Sequence, residues 1–504
     1  MLPAEWPAEI KIIIFFVGYG LAAVVLGRVL RVVFSVFRLP GYLLSLWWLK
    51  FRSPFGGSRW ASFSALKKAH LFREHGLFLG EWRGWFRRQA LFHHGEGHFI
   101  TIATPGGGKT SGLVVPSILE CREGALIVTD PSGELAAMTR RFRETLGPVV
   151  LLNPFSDDFE QDTGLSFPDT GFNPLTILEC GPQLKDDIDL VARLLMVTDR
   201  VDSGSYWNRE GAEIIAALLM WMFLREAPQY RNLAFLYELL RGKKTRLVFE
   251  RMAQDSDRYL RANGGKYVEM IEHAPAQWQG ALSKAQEATT RYAPDWPLGI
   301  HTSMDSFNPA RLKQENITVY LMVPSGRIRV AEPWLNLLMG VFGMAVGRPG
   351  PARPVTLLMD EAPALGYMPD LRDFMRQFRK AGLRVWLFSQ TVAALRDIYG
   401  ADAFADLMGL CTTKQFFAIE ELDLAQDLSK YLGERTAYNP SRNEQREGMS
   451  TVGVPLIRPE DITAMKAGQQ IIVRGKLHPI KAHLVPYFKN PKWQALVDPN
   501  PYLQ

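Results

Sequence analysis

Short, continuous apolar runs alternate with segments of helical periodicity over most of the chain. The clearest runs occupy 99–103, 125–129, 149–152, 317–323, 355–359 and 383–388, and further strand patterns follow at 414–419, 469–473 and 480–485. Apolar strands that alternate with helices indicate a parallel sheet covered on both faces. The pattern therefore predicts an α/β fold. The polar stretch 438–453 is typical of a mobile loop.

Residues 183–300 break this alternation. Their apolar side chains recur at helical spacing, as at Ile214, Leu218 and Met222, and no convincing strand pattern appears. Since strand patterns resume after residue 300, we predict an all-α domain, 183–300, inserted into an α/β domain made of 99–182 and 301–490. Residues 491–504 form a short tail.

The first fifty residues have the pattern of a membrane anchor. Residues 12–27 are sixteen apolar positions without a charge. This is slightly short of the ~20 residues that a bilayer core requires, but the flanking Lys11 and Arg28 can extend to the interface. We therefore predict one span at about 12–27. Residues 29–49 fit either a second span or an interfacial helix, and both alternatives stay open.

The stretch that follows the anchor, 51–98, is basic. Nine Lys and Arg against two Glu lie between Lys50 and Gly95, and the positive-inside rule places this side of the membrane in the cytoplasm. We interpret 51–98 as a basic juxtamembrane linker. Its aromatic residues suit lipid headgroups or, alternatively, stacking on bases; they are Trp60, Trp82, Trp85 and Phe86.

The amino-acid composition restricts the functional class of the protein only slightly. The 504 residues carry a net charge of +6, which permits nucleic acid or an anionic membrane as a partner without requiring either. The three cysteines are far apart, with no Cys/His pattern, and are interpreted as reduced, buried thiols. They are Cys121, Cys180 and Cys411.

A glycine loop follows the first strand of the α/β region, and a helix pattern follows the loop. In such a loop, backbone N–H groups surround phosphate oxygens, Lys109 reaches the outer phosphates, and the Thr110 hydroxyl binds Mg²⁺. Ala103 stands where the full pattern has glycine, as a small substitute. The predicted nucleotide-binding residues are Thr104, Pro105, Gly106, Gly107, Gly108, Lys109, Thr110 and Ser111.

Polar side chains end three later strands. Asp360 and Glu361 follow an apolar strand, where the first would hold Mg²⁺ through water and the second would polarise the attacking water. Gln390 follows the next strand and can sense the γ-phosphate. Asp130 also ends a strand, where it fits either a ligand contact or a turn cap.

Taken together, these motifs resemble the TraG/TraD-like coupling proteins of type IV secretion and conjugation systems. The resemblance extends from the N-terminal segment to about residue 490. It rests on Ala103–Thr110, Thr129–Leu135, Tyr206–Asn208, Leu358–Pro363, Phe388–Thr391 and Tyr431–Thr436. Ser132 departs from the family pattern, because many members have lysine there.

This resemblance implies a RecA-like P-loop NTPase with a mostly parallel sheet, an inserted all-α domain and an N-terminal transmembrane segment. It implies ATP and Mg²⁺ as ligands and assembly as a homo-hexamer in the bacterial inner membrane, with most of the chain in the cytoplasm. The catalytic residues would be Lys109, Glu361, Gln390 and Arg379, the last acting on the neighbouring subunit. Implied partners are single-stranded DNA with its relaxase, the secretion channel and the ATPases of that channel.

Three other functions remain open at this point. The same motor could serve as a receptor for protein effectors, without DNA as cargo. A chromosome-segregation or packaging translocase would share the RecA-like core. A membrane scaffold could bind nucleotide without turnover, although the set formed by Lys109, Thr110, Asp360 and Glu361 argues against it.

Overall fold

A computed structural model describes residues 55–196, 206–351, 353–440 and 449–502, with single positions at 20 and 26. The strands are β1 (Leu77–Arg83), β2 (Arg88–His93), β3 (His98–Ala103), β4 (Ala125–Thr129), β5 (Val149–Leu152), β6 (Thr318–Leu321), β7 (Val355–Met359), β8 (Leu383–Ser389), β9 (Cys411–Phe417), β10 (Glu434–Pro440), β11 (Met449–Pro455), β12 (Gln469–Arg474) and β13 (Ile480–His483).

The α-helices flank and interrupt these strands. They are α1 (Phe63–Lys68), α2 (Val115–Glu120), α3 (Glu134–Glu144), α4 (Ser156–Thr163), α5 (Leu184–Leu195), α6 (Tyr206–Arg225), α7 (Leu233–Leu239), α8 (Lys244–Ala253), α9 (Arg258–His273), α10 (Pro275–Thr289), α11 (Pro297–His301), α12 (Ile328–Gly347), α13 (Leu371–Phe378), α14 (Val392–Tyr399), α15 (Ala401–Leu410), α16 (Leu422–Leu432), α17 (Pro459–Thr463) and α18 (Pro491–Gln494). The predicted span at 12–27 and the segment 29–49 lie outside the described residues, apart from the two single positions.

Eleven strands form one sheet, in the order β2-β1-β13-β12-β9-β3-β8-β7-β4-β6-β5. The seven strands from β9 to β5 are parallel to their neighbours. The other four pair antiparallel. The prediction of an α/β fold with a mostly parallel sheet is therefore confirmed. Strands such as β3, β4 and β7 are buried along their whole length, which explains their continuous apolar sequence.

Between β5 and β6 the described residues form helices and turns without a strand. The longest helix of this part, α6, carries a buried run from Ile214 to Phe223. A second long helix, α12, follows β6 in the α/β part, and the segment Ser325–Gly347 is long and apolar enough to cross a membrane. However, 78% of its apolar window is buried within the protein, as expected for a core helix.

The interpretation of 51–98 as a linker was wrong for most of its length. Residues 63–93 contain α1 and the hairpin of β1 and β2, and β1 joins the main sheet beside β13. The basic residues that suggested a linker lie mostly at exposed positions, whereas Leu77, Phe78 and Leu79 are fully buried. The many charged residues around β1 concealed this strand in the sequence, because its buried apolar residues form only a short run.

Contacts divide the chain into two units, and the smaller one combines Met1–Arg59 with Asp427–Arg458. In this unit β10 and β11 pair antiparallel from Glu434↔Pro455 to Pro440↔Met449, and Gly57 bridges Arg435. The prediction of a mobile loop over 438–453 was therefore wrong at both ends of the range. Backbone pairing holds these residues although their sequence is polar.

One smaller expectation also differs from the structure. Cys180 is exposed, whereas Cys121 and Cys411 are buried as expected. The tail after residue 490 is not loose, because Trp493 is buried and its indole N–H donates to Glu120 Oε1 at 2.6 Å. The tail therefore belongs to the packed part of the α/β domain.

Candidate nucleotide-binding site

The loop after β3 requires glycine for two separate reasons. Gly106 and Gly108 have φ angles of 75° and 83°, a left-handed conformation that strains other residues. A Cβ atom on Gly107 would lie 2.8 Å from the Ala418 Cβ, too close for any side chain. The Thr104 hydroxyl donates to Ala418 O at 2.6 Å and fixes the start of the loop. The loop therefore has the open backbone that phosphate binding requires.

Ala103 is compatible with its place because of where the strand ends. It is the last residue of β3, pairs with Phe417 and is buried. Its backbone φ angle is not positive, so a methyl group at this position introduces no strain. The missing glycine of the sequence pattern thus has no structural cost.

A π-helical turn, Thr110–Val114, follows the loop and continues into α2. The N–H of Gly112 donates to Gly108 O at 2.8 Å, which seats the loop on the first helical turn. Free N–H groups at the start of such a segment face the loop and favour an anion there. Thr110 and Ser111 line the same pocket as the loop.

Lys109 contacts both acidic residues that the sequence singled out. Its Nζ lies 2.7 Å from Asp360 Oδ1 and 3.5 Å from Glu361 Oε2. Gln390 Nε2 donates to the same Glu361 oxygen at 2.9 Å. The four predicted side chains therefore form one connected cluster, although they lie up to 281 positions apart in the sequence.

Strand order explains this convergence. β3, β8, β7 and β4 are consecutive neighbours in the parallel part of the sheet. Their carboxyl ends share one edge, and open α/β sheets bind ligands in the crevice outside this edge. Lys109 follows β3, Gln390 follows β8, and the acidic pair follows β7. Glu361 has a φ of 61°, a left-handed conformation that is rare outside glycine and common at functional sites.

Asp130 follows β4 at the same edge and is fully buried. Burial raises its pKa to about 7, opposed by the backbone N–H groups of Ala136 and Leu135 and assisted by the nearby Asp360. The N–H of Ala136 donates to Asp130 Oδ2 at 2.7 Å. Of the two readings in the sequence analysis, the capping contact is present in the structure.

Several pocket residues were not found from the sequence. A cavity of about 460 Å³ beside the loop is lined by Gln390 and by Glu134, Tyr487, Phe488, Asn500 and Tyr502. Asn500 Nδ2 donates to Glu134 Oε1 at 2.6 Å, and the Tyr502 hydroxyl donates to Ser132 O. The segment after β13 therefore returns to the nucleotide loop. No local pattern signals this return, since it depends on tertiary packing alone.

Arg379 lies away from this cluster. Its Nε is 3.6 Å from Glu96 Oε2, and Glu96 precedes β3, whereas the loop follows β3. Six residues of strand separate the two edges by roughly 20 Å. Within one chain, Arg379 is thus remote from Lys109, and its side chain is 44% exposed.

Comparison with known proteins gives a family match along most of the chain. The model of the type IV secretory system conjugative DNA transfer family matches residues 59–502. The type IV secretion system-coupling protein VirD4 of Bartonella quintana is 25% identical over 435 residues, covering 81% of this chain and 65% of that protein. The conjugal transfer protein TraG of Rhizobium radiobacter is 26% identical, covering 81% and 64%. The chain thus spans just under two thirds of these relatives' length.

Solved structures give the same fold. The conjugative coupling protein TrwB lacking its first 70 residues, in complex with sulphate, matches with a TM-score of 0.60 at 16% identity, covering 86% of this chain and 95% of that one. TrwB with the ATP analogue ADPNP gives a TM-score of 0.60 at 17% identity, covering 86% and 95%. TrwB with ADP and Mg²⁺ gives 0.59 at 16%, covering 86% and 96%. The expected RecA-like P-loop NTPase fold is confirmed by this likeness.

Proposed function

Because the chain belongs to the type IV secretory system conjugative DNA transfer family, we propose that it is a membrane-anchored, ATP-driven motor. It would couple a relaxase-bound single strand of DNA, effector proteins or both to a type IV secretion channel. One observation carries the proposal: Lys109, Asp360, Glu361 and Gln390 meet in one cluster beside an open loop and a cavity.

ATP is the substrate that this site suits. The loop offers backbone N–H groups and Lys109 to the phosphates, and the cavity leaves space for the nucleoside. In the described part of the chain, the Lys109 ammonium holds both carboxylates through charge. Phosphates would draw Lys109 away from Asp360 and leave that carboxylate free. TrwB with ADPNP supports this assignment by its likeness in fold.

The residues present also fit Mg²⁺. Asp360 Oδ1 is buried and receives no well-directed hydrogen bond among the described residues, so it has capacity for a cation or for a water molecule bound to one. Thr110 directly follows Lys109 and lines the cavity beside the loop. A bound Mg²⁺ would neutralise phosphate charge, and hydroxyl and carboxylate oxygens are suitable ligands for it. TrwB with ADP and Mg²⁺ supports the same choice.

The remaining side chains divide the work of hydrolysis. Glu361 would accept a proton from the attacking water. Gln390 donates a hydrogen bond to Glu361. A γ-phosphate that attracted the Gln390 amide would therefore also change how the Glu361 carboxylate is held. We propose that this pair links nucleotide state to movement.

Arg379 would complete the site from a neighbouring subunit. Its distance from Lys109 in one chain, its exposure and its weak 3.6 Å pairing with Glu96 support an action between subunits of a homo-hexamer. Such an arginine stabilises charge on the transferred phosphoryl group. Anchoring in the bacterial inner membrane, with the motor in the cytoplasm, follows from the apolar segment 12–27 and the basic residues after it.

The decisive experiment uses Lys109→Ala in the full chain. We expect hydrolysis of ATP to fall by about a thousandfold or more, because the variant lacks the cation at the outer phosphates. Conjugative transfer should be lost with it. The measurements are phosphate release with and without single-stranded DNA, at several salt concentrations, and transfer in a strain that lacks the native gene.

Lys244→Ala provides the matched control, because that lysine is 60% exposed and its ion pair among the described residues is with Glu238 at the surface. It should keep both activities. Unchanged transfer by Lys109→Ala would contradict the motor. Hydrolysis that no DNA stimulates at any salt concentration, together with recovery of secreted proteins but no relaxase, would instead favour protein effectors as the cargo.

A further inference from the structure

The hairpin of β1 and β2 ends in two aromatic side chains that touch almost nothing. Trp85 and Phe86 are 92% and 91% exposed, while the next most exposed large hydrophobic residue among those described, Tyr431, is 64% exposed. The two rings lie 6.2 Å apart at an angle of 46°. Leaving both rings in water is unfavourable in free energy, so the tip has the character of a binding surface.

The stem of the hairpin is firmly built. Arg83 pairs with Arg88 and Trp82 with Gln89 in the ladder, and the Gly84 N–H donates to Arg87 O at 2.8 Å. The Trp82 ring packs 5.2 Å from the Phe63 ring and 6.5 Å from the Phe72 ring. Exposure of the tip is therefore a feature of a fixed turn and not of a loose segment.

Two arginines directly follow the aromatic tip. Arg87 and Arg88 are exposed, and the Arg87 guanidinium lies 6.0 Å from the centre of the Phe63 ring on α1. The last turn of α1 adds the exposed Lys67 and Lys68. The one acidic residue of the hairpin, Glu81, is engaged by Arg83 at 2.6 Å. The tip thus combines apolar rings with the positive charge of Arg87 and Arg88, which form no ion pair with the described residues.

We propose that this tip docks on an anionic lipid bilayer. Trp85 and Phe86 would enter the headgroup region, and Arg87 and Arg88 would contact lipid phosphates. Aromatic residues concentrate at membrane interfaces, and clustered cations favour anionic leaflets. The proposal rests on the proposed membrane setting of the chain, but it does not depend on ATP hydrolysis.

The shape of the tip favours lipid over single-stranded nucleic acid. Proteins that bind single strands usually hold the backbone in a basic groove and stack bases on its aromatic residues. Trp85 and Phe86 instead project from a turn, with more than nine tenths of each side chain exposed. The basic cavity at the foot of the hairpin, which Arg83 and Arg88 help to line, includes neither ring. A projecting pair of rings suits insertion into a soft interface.

An environment-sensitive fluorophore at the tip tests the proposal in the full chain. Cys121 and Cys411 are buried and Cys180 is exposed, so a Cys180→Ser background allows selective labelling of Phe86→Cys. The chain is combined with vesicles of phosphatidylcholine, or with vesicles in which about a third of the lipid is phosphatidylglycerol. We expect a blue shift and quenching by spin-labelled lipid in the anionic vesicles, about threefold stronger than in the neutral ones.

Two sets of variants serve as controls. A label at Leu247→Cys, on a residue of the helical part that is 53% exposed, should stay in water in both vesicles. A label at Trp85→Cys, with Phe86 retained, repeats the test if the first variant folds poorly. Replacing Arg87 and Arg88 by Gln should remove most of this threefold difference between anionic and neutral vesicles.

Each outcome has one meaning. A label that stays in water beside both kinds of vesicle overturns the proposal. Shielding that spin-labelled lipid does not quench, and that grows with protein concentration, would assign the tip to contacts between copies of the chain. Shielding only after addition of oligothymidine would assign it to nucleic acid. Flotation of the chain with vesicles reports the N-terminal anchor separately, and ATP hydrolysis reports the motor, so failure of the proposed function would be distinguishable.

Discussion

The two halves of the main sheet differ in origin and in task. The parallel half, from β9 to β5, contributes the loop and every side chain of the polar cluster from its carboxyl edge. The antiparallel half comes from 77–93 and 469–483, on either side of the parallel half in the sequence. It carries the exposed hairpin tip and leads into the segment that lines the outer pocket. Phosphate chemistry and its surroundings thus come from different parts of the chain.

A buried polar network joins the two halves. Gln415 on β9 and Gln470 on β12 both donate to Leu79 O on β1, at 2.9 and 2.8 Å, and Gln415 also donates to Gln470 Oε1 at 3.0 Å. The register shift between Phe78 and Gly80 marks an irregularity in β1 at this carbonyl. Thr101 on β3 donates to Gln415 Oε1 at 3.2 Å. The network therefore ties the core of the nucleotide-binding half to the half that carries the hairpin.

The largest expected effect is that of replacing Arg379. This substitution tests whether the side chains at the carboxyl edge of one chain are sufficient for hydrolysis. Arg379→Ala should lower the rate of ATP hydrolysis by about a thousandfold, because the transferred phosphoryl group would lose a cation supplied by the next subunit. Binding of nucleotide should change little. Phosphate release and the affinity for a fluorescent ATP analogue measure the two effects separately.

The control for this variant is Arg376→Ala. Arg376 lies on α13 with similar exposure, 47%, but pairs with Asp373 and Asp406, so its loss should leave the rate nearly unchanged. Mixing Arg379→Ala with Lys109→Ala chains should restore part of the activity, since some interfaces would then hold both residues. Full activity of Arg379→Ala alone would place the whole site within one chain.

The same division between halves explains what the sequence could predict. Strands of the parallel half are buried on both faces, so β4 and β7 appear as unbroken apolar runs that end in a carboxylate. The loop is a local motif, and its glycines are required by backbone angles that act within a few residues. Lys109, Asp360, Glu361 and Gln390 were predicted for these reasons, and the structure brings them together.

The antiparallel half could not be predicted in the same way. In β1 a buried run, Leu77 to Leu79, is followed by Glu81 and Arg83, and the surrounding charges suggested a linker. Asn500 and Tyr502 reach the pocket through contacts with Glu134 and Ser132 more than 360 positions away. Such contacts depend on how the whole sheet is assembled, and no local pattern encodes them.

Replacing Asp130 tests whether a neutral carboxyl group helps to stabilise the carboxyl edge of the sheet, where the polar cluster lies. Its pKa of about 7 lies above the ordinary value of 3.8, so the folded chain binds a proton that the unfolded chain releases between these pH values. Its contribution to stability is therefore present at low pH and is lost as pH rises through about 7. Asp130→Asn should remove this loss, about 3 kcal/mol of which falls between pH 5 and pH 7.

The measurement is the difference in unfolding free energy between the variant and the wild type from pH 5 to pH 8. The difference is needed because burial lowers the pKa of His98 to about 4, and that shift acts in the opposite direction with pH. Glu134→Gln serves as a second arm, since burial raises the pKa of Glu134 as well. A flat difference for Asp130→Asn would show that the carboxyl is ionised at all these pH values.

Gln415→Met should weaken the junction between the halves. It would leave Gln470 Oε1 without its donor and Leu79 O with one donor fewer, for a loss of about 2 kcal/mol in unfolding free energy. If the halves form one cooperative unit, urea unfolding followed by tryptophan fluorescence and by circular dichroism should remain a single, coincident transition at lower urea. Gln89→Met, at an exposed position of the edge strand β2, should change little. Two separate transitions would mean that the halves unfold independently.

The smallest expected effect concerns the segment that closes the outer pocket. Tyr502 is 47% exposed and lines the cavity with Phe488 and Asn500, whereas the acidic pair after β7 is not among the residues that line it. If the nucleoside lies there, Tyr502→Ala should weaken ATP binding by about tenfold through the loss of an aromatic contact, yet leave tripolyphosphate binding unchanged. Calorimetric titration of the full chain with both ligands gives this comparison, and Tyr230→Ala, at a tyrosine that is 45% exposed in the helical part, is the control. An equal loss for tripolyphosphate would instead mean that the segment supports the phosphate loop through Ser132. The division between phosphate chemistry in one half of the sheet and its surroundings in the other half would then not hold at this pocket.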